Sequence, residues 1–161
     1  MASKSVNPEY VKAVISALIK VPIFKLMDME MIDMALGRAV LIIRAGEKHT
    51  NPHKGVHGGV IATIIDAACY WAGYSAMKTE NAITTTELKV NYLASARPGN
   101  DLVATGKVIK AGRLLAVSEA RVIEKQTGRL IAFGSASCLA TDAPVGGILA
   151  GLPPKFMGPD E

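Results

Sequence analysis

Residues 58–77 read GGVIATIIDAACYWAGYSAM, the most apolar segment of the chain and long enough to cross a bilayer. Asp66 stands near its middle, where an acid costs about 3 kcal/mol on insertion. The segments that follow alternate as strands of a water-facing sheet do. The run therefore reads as a buried helix. A helix that is apolar on nearly every side has to be wrapped by other structure.

The wrapping is expected from both sides of the run. Downstream, residues 84–94 place Thr86, Leu88, Val90 and Tyr92 on one face, with Thr85, Glu87, Lys89 and Asn91 on the other. Arg97-Pro98-Gly99-Asn100 makes a turn. Residues 101–109 lead through Lys110-Ala111-Gly112-Arg113 into residues 114–124 as a hairpin. After Thr127-Gly128, residues 130–140 carry Ala132, Gly134, Ala136, Cys138 and Ala140 on one face, small enough for a helix to pack close. Upstream, residues 35–45 alternate as one half-buried strand with Gly37 inside it. Residues 23–34 hold four Met with no clean period and read as adaptable core filler or pocket lining. Asn7-Pro8-Glu9 starts an amphipathic helix that Pro22 is expected to end.

The order is helix, strand, long apolar helix and a four-strand antiparallel meander, an α+β architecture. Residues 1–22 are expected as an N-terminal helix packed on the domain, 23–141 as the domain itself, and 142–161 as a loosely ordered Gly/Pro-rich tail. With 161 residues, half of them apolar and a fifth charged, the chain suits one folded domain. Its net charge of +4 fits a polyanionic ligand or an acidic partner. Lys and Arg are scattered, without a run or interleaved aromatics, which argues against nucleic-acid binding. Cys69 and Cys138 lie in apolar surroundings outside any CxxC pair, so neither a disulfide framework nor a metal site is indicated. The opening MASKSVNPEY lacks the apolar core of a signal peptide, and a cytoplasmic location is expected.

Two features carry chemistry. His57-Gly58-Gly59 opens the apolar helix, where first-turn N–H groups have no intrahelical partner and face the positive end of the helix dipole. Such a site suits a carbonyl oxygen that becomes an oxyanion. Asp66 is the only charged side chain between His57 and Lys78, and an unpaired carboxylate in a core is costly. It is either functional or tied to a neighbouring backbone or buried Arg. Gly58 and Asp66 are eight residues apart, about 12 Å along one helix. One carbonyl cannot touch both. Two antiparallel copies about a two-fold axis would set Gly58 of one chain beside Asp66 of the other. Asn51 reads as a turn residue or as a group orienting water, His57 as support for the loop, and His53 as an ordinary loop histidine. No Ser elbow, Cys/His dyad, P-loop or dinucleotide glycine pattern occurs.

Asn51, His57-Gly58-Gly59, Asp66, the ELKVNYL of residues 87–93 and the GRLL of residues 112–115 together resemble the hot-dog-fold thioesterases, in particular the phenylacetate-degradation and thioesterase-superfamily-member branch. The resemblance runs from about Gly46 to Ala140. It implies a long helix wrapped by an antiparallel sheet of five to six strands, dimers pairing into tetramers, and hydrolysis of acyl-CoA without metal or cofactor, coenzyme A being part of the substrate. It implies that Gly58 donates its N–H to the thioester oxygen and that Asp66 of the partner chain activates water or attacks directly. Asn51 and His57 fall where relatives hold the water and the loop, with Gly59 lining the substrate. Thr85 falls where relatives carry a small hydroxyl residue. Arg97, Lys110 and Arg113 are the expected phosphate contacts. The same fold hosts dehydratases and hydratases; those that resemble fatty-acid-synthesis dehydratases carry a catalytic His in a Pro-rich loop and a helix Glu, where this helix offers Asp66. A non-catalytic acyl-CoA-binding protein and a structural subunit are the other readings.

Overall fold

The computed structural model describes residues 5–157. Helices α1 (Pro8–Leu18) and α2 (Pro22–Leu26) precede strands β1 (Met29–Ala35) and β2 (Arg38–Arg44), and the long helix α3 (Gly58–Ala76) follows. Strands β3 (Asn81–Tyr92), β4 (Asp101–Ala111), β5 (Leu115–Glu124) and β6 (Leu130–Pro144) complete one antiparallel six-stranded sheet, in the order β1-β2-β4-β5-β6-β3. All six strands touch α3. The apolar run is wrapped by the sheet as its hydropathy requires, in the hot-dog arrangement that the resemblance implies.

Small residues let the sheet close on the helix. A Cβ added to Gly106 of β4 would stand 2.1 Å from the Ala68 carbonyl oxygen, so only glycine permits that contact. Ala132, Ala136 and Cys138 of β6 and Ala116 and Ala120 of β5 are all buried on the same side. Ile64, Ile65, Ala68, Cys69 and Ala72 fill the interior from the helix. At about 25 cal/mol per Å² of apolar area removed from water, this burial is the main force holding the layers together.

Four local expectations are corrected. Pro22 does not close the first helix; α1 stops at Leu18, and Pro22 opens α2 at its first position, where a missing N–H is harmless. Residues 35–45 are not one strand. Leu36-Gly37 turns the chain between β1 and β2, with Gly37 at φ +71°. The four later strands are no simple meander, because β3 lies at the sheet edge beside β6, and β4 pairs with β2 instead. Finally, a bulge between Thr85 and Glu87 shifts the register of β3 on β6. Thr85 therefore turns toward α3, on the same side as Leu88, Val90 and Tyr92, and away from the face of Glu87.

The segment after β6 lies against the N-terminal helix and the end of α3. Val6 bridges Phe156, Asn7 N donates to Lys155 O at 2.9 Å, and Lys155 Nζ donates to Tyr74 O and Thr79 O at 3.1 and 2.8 Å. Residues 1–4 and 158–161, which fall in the expected N-terminal and tail segments, lie outside the described residues.

Candidate active site

The loop before α3 is pinned on several sides. Asn51 Oδ1 accepts from His53 N at 2.9 Å and Gly55 N at 3.1 Å, the Asx geometry of a turn residue, and its amide NH₂ is the donor end. Val56 N donates to Ala96 O, and His57 N donates to the carbonyl of the buried His49 at 2.8 Å. His57 is the N-cap of α3. Its Nδ1 accepts from Gly59 N at 2.9 Å, so the Gly59 N–H is committed to the cap. Gly58 is the first helical residue, and its N–H belongs to the orphan set at a helix start. Tyr92 OH donates to Gly58 O at 3.2 Å, and a cavity of about 370 Å³ opens beside these two residues, reaching Ile61 and Ala94.

Two turns further along, Asp66 is half-buried on the face of α3 toward β3. The Thr85 hydroxyl donates to Asp66 Oδ1 at 2.8 Å, and Cys138 Sγ lies 3.7 Å from the same hydroxyl oxygen. Among the described residues, Asp66 neither pairs with an Arg nor caps a backbone N–H. Thr85 thus holds one of the two carboxylate oxygens. Burial pushes the Cys69 thiol up to about 12, with Cys138 and Asp66 adding to it. Burial also raises the Cys138 thiol, with the nearby Asp66 adding to it. Neither sulfur has the low-pKa surroundings of a nucleophile.

The expected phosphate contacts are not gathered within one chain. Arg97 sits in the loop after β3, next to the Ala96 carbonyl that holds Val56. Lys110 and Arg113 lie at the β4–β5 hairpin, at the far end of β4, about 30 Å away at the rise of a strand. A second cavity, of about 520 Å³, lies at the C-terminal end of α3 between Tyr10, Tyr74, Leu152, Lys155 and Phe156. Among the described residues no three His, Cys, Asp or Glu side chains gather as a metal site, and no helix is long and apolar enough to cross a membrane.

Sequence reasoning missed three residues. His49 was hidden in a polar loop, and Cys138 among small residues. Tyr92 was placed on the right strand face but gave no sign of reaching the helix start. The only available signal was the heteroatom of Cys138 on a face otherwise made of Ala and Gly.

Comparison with known proteins identifies the family. The family model described as "Thioesterase superfamily" matches residues 53–131, from the loop before α3 to the start of β6. Acyl-coenzyme A thioesterase 13 of Homo sapiens is 30% identical over 125 residues, covering 76% of this chain and 89% of that protein. The crystal structure of zebra fish thioesterase superfamily member 2 superposes with a TM-score of 0.71 at 27% identity, over 81% of this chain and 95% of that one. The E. coli PaaI protein from the phenylacetic acid degradation operon gives 0.75 at 19% identity, over 84% and 95%, a likeness of fold. A match that starts at the helix-capping loop, and a relative aligned over most of its own length, carry one conclusion: the chain belongs to the thioesterase superfamily.

Proposed function

We propose that the protein hydrolyses acyl-CoA thioesters to a free acid and coenzyme A. The observation that carries this reading is Asp66, a carboxylate set in the apolar middle of α3 with Oδ1 held by Thr85, in a chain 30% identical to an acyl-coenzyme A thioesterase. The Gly58 N–H and the helix dipole polarise the thioester carbonyl. Asp66 Oδ2 then takes a proton from water as the water oxygen attacks the carbonyl carbon. The oxyanion is held at Gly58, the C–S bond breaks, and the thiolate leaves with the proton that Asp66 holds. Direct attack by Oδ2, forming an anhydride that water opens, uses the same groups. Coenzyme A comes with the substrate, and no other cofactor enters. Arg97, Lys110 and Arg113 stay as phosphate contacts, drawn from opposite ends of the sheet and so from different chains.

The site is completed by a second copy. Within one chain Gly58 and Asp66 are about 12 Å apart along α3. Strand β3 supports their meeting across chains. It ends the sheet, and Leu88 and Tyr92 sit opposite the buried Ala136 and Ala132, so both point to the helix side. Yet they are 38% and 53% exposed, although Tyr92 reaches the first residue of α3 through its hydroxyl. An antiparallel partner strand, with its helix, would cover them. A two-fold axis at Leu88 also faces Glu87 with the partner's Lys89, twice. Thr85, bonded to Asp66, then lies near the partner's Tyr92, bonded to the partner's Gly58. Dimers of dimers extend the same reading.

Thiol release from acetyl-, octanoyl-, palmitoyl- and phenylacetyl-CoA by wild type and Asp66→Ala tests the function. Turnover of at least one, lost by about 100-fold or more in the variant with the oligomer intact, is expected. Absence of wild-type turnover on all four, or equal turnover by both proteins, contradicts it.

A further inference from the structure

We propose that Cys138 is a positioning residue for the reaction: its thiol donates to Thr85 Oγ1 and thereby fixes the one proton of that hydroxyl on Asp66 Oδ1. The proposal rests on the reading of Asp66 as the reacting carboxylate.

A proton count carries it. The Thr85 oxygen has two neighbours, Asp66 Oδ1 at 2.8 Å and Cys138 Sγ at 3.7 Å, but a single hydrogen. An ionised carboxylate can only accept, so the hydroxyl hydrogen goes to Asp66. The contact with sulfur then has one possible direction, S–H to oxygen. Cys138 is able to fill that role because burial and the nearby Asp66 keep it a thiol. It is 1% exposed and directly opposite Thr85 in the β3–β6 ladder. The bulge that follows Thr85 turns its side chain inward to reach both partners.

Without the thiol, the hydroxyl can rotate about Cβ–Oγ1 and Asp66 can turn either oxygen toward the substrate. With it, Oδ1 stays occupied and Oδ2 faces the reaction. The inner face of β6 is otherwise Ala132, Gly134, Ala136 and Ala140, so the one heteroatom on that face stands where Thr85 needs a donor. A cysteine serving only as small core filler would not act through Thr85, and that difference can be measured.

The test is steady-state thiol release on the best-hydrolysed member of the four-substrate panel, with melting temperatures recorded for every variant. Cys138→Ala is expected to lower kcat about three- to ten-fold with KM changed less than about two-fold, the size of a weak hydrogen bond acting in the chemical step. Cys138→Val, which fills the space without a donor, must behave as Cys138→Ala does. Cys138→Ser must recover kcat to within about two-fold of wild type. In a Thr85→Ala background the Cys138→Ala change is expected to cost nothing further. Wild-type kcat in both the Ala and Val variants, or the same loss with Thr85 already removed, overturns the proposal. Asp66→Asn separates the two levels. If it is inactive while Cys138→Ala is unaffected, only the role of Cys138 falls. If Asp66→Asn keeps wild-type turnover, the reading of Asp66 falls and this proposal with it.

Discussion

The two edges of the sheet are treated in opposite ways. Strand β1 has seven residues, carries a bulge between Met31 and Asp33, and is packed by α1 and α2. Its acids are engaged: Asp33 pairs with Arg38, and Glu30 with Arg44 at 2.6 Å. These are the devices by which sheets blunt an edge against pairing. Strand β3 has twelve residues, and Thr84, Thr86, Glu87, Leu88 and Lys89 are exposed along it. One edge is covered and the other is exposed, and the proposed dimer would pair there. The open edge is also the one whose residues touch both groups of the proposed mechanism, Thr85 at Asp66 and Tyr92 at Gly58.

The largest effect that can break this comparison is a charge placed on each edge. Leu88→Glu sets two carboxylates against each other at the proposed axis, beside both copies of Glu87. It is expected to give monomers by light scattering and to lower turnover by about 100-fold or more. Ile32→Glu, at a β1 side chain that is 51% exposed, should leave mass unchanged and turnover within about two-fold. A Leu88→Glu protein that remains an active dimer would put the partner elsewhere. A smaller effect sharpens the register. Glu87→Lys or Lys89→Glu alone should weaken dimerisation about ten-fold in sedimentation equilibrium, and the double exchange should restore it. Single exchanges without effect would move the axis away from Leu88.

Much of the core was legible because its signals are local. The apolar run gave α3 to within a residue, and Asn7-Pro8 gave the start of α1, where Asn7 Oδ1 accepts from Glu9 N at 2.9 Å. The order of the strands was not legible. That β3 pairs with β6 and β2 with β4 depends on contacts far apart in sequence. Bulges hid the rest. One in β1 breaks the alternation that would have marked Met29–Ala35 as a strand. Another in β3 put Thr85 on the wrong face in the sequence pattern, since one extra residue reverses every side chain before it. Gly58 and Asp66 could be named as chemical groups from sequence. Cys138 could not, because a thiol on a small-residue face looks like packing until Thr85 is seen opposite it.

The central claim is that each site takes Gly58 from one chain and Asp66 from the other. Gly58→Pro removes the N–H at the first helical position, where proline is tolerated, and His57 before it is already extended at ψ 138°. The new ring meets Tyr92, 3.3 Å from a Cβ at this position, so the Gly58→Pro dimer is confirmed by light scattering before mixing. Gly58→Pro and Asp66→Ala proteins, each inactive alone, are dissociated, mixed in equal amounts and reassociated. Random pairing makes half the dimers mixed, each with one intact site, so turnover should return to about a quarter of the wild-type value. If both groups act within a single chain, no mixed dimer holds a whole site, and the mixture stays as inactive as its parents.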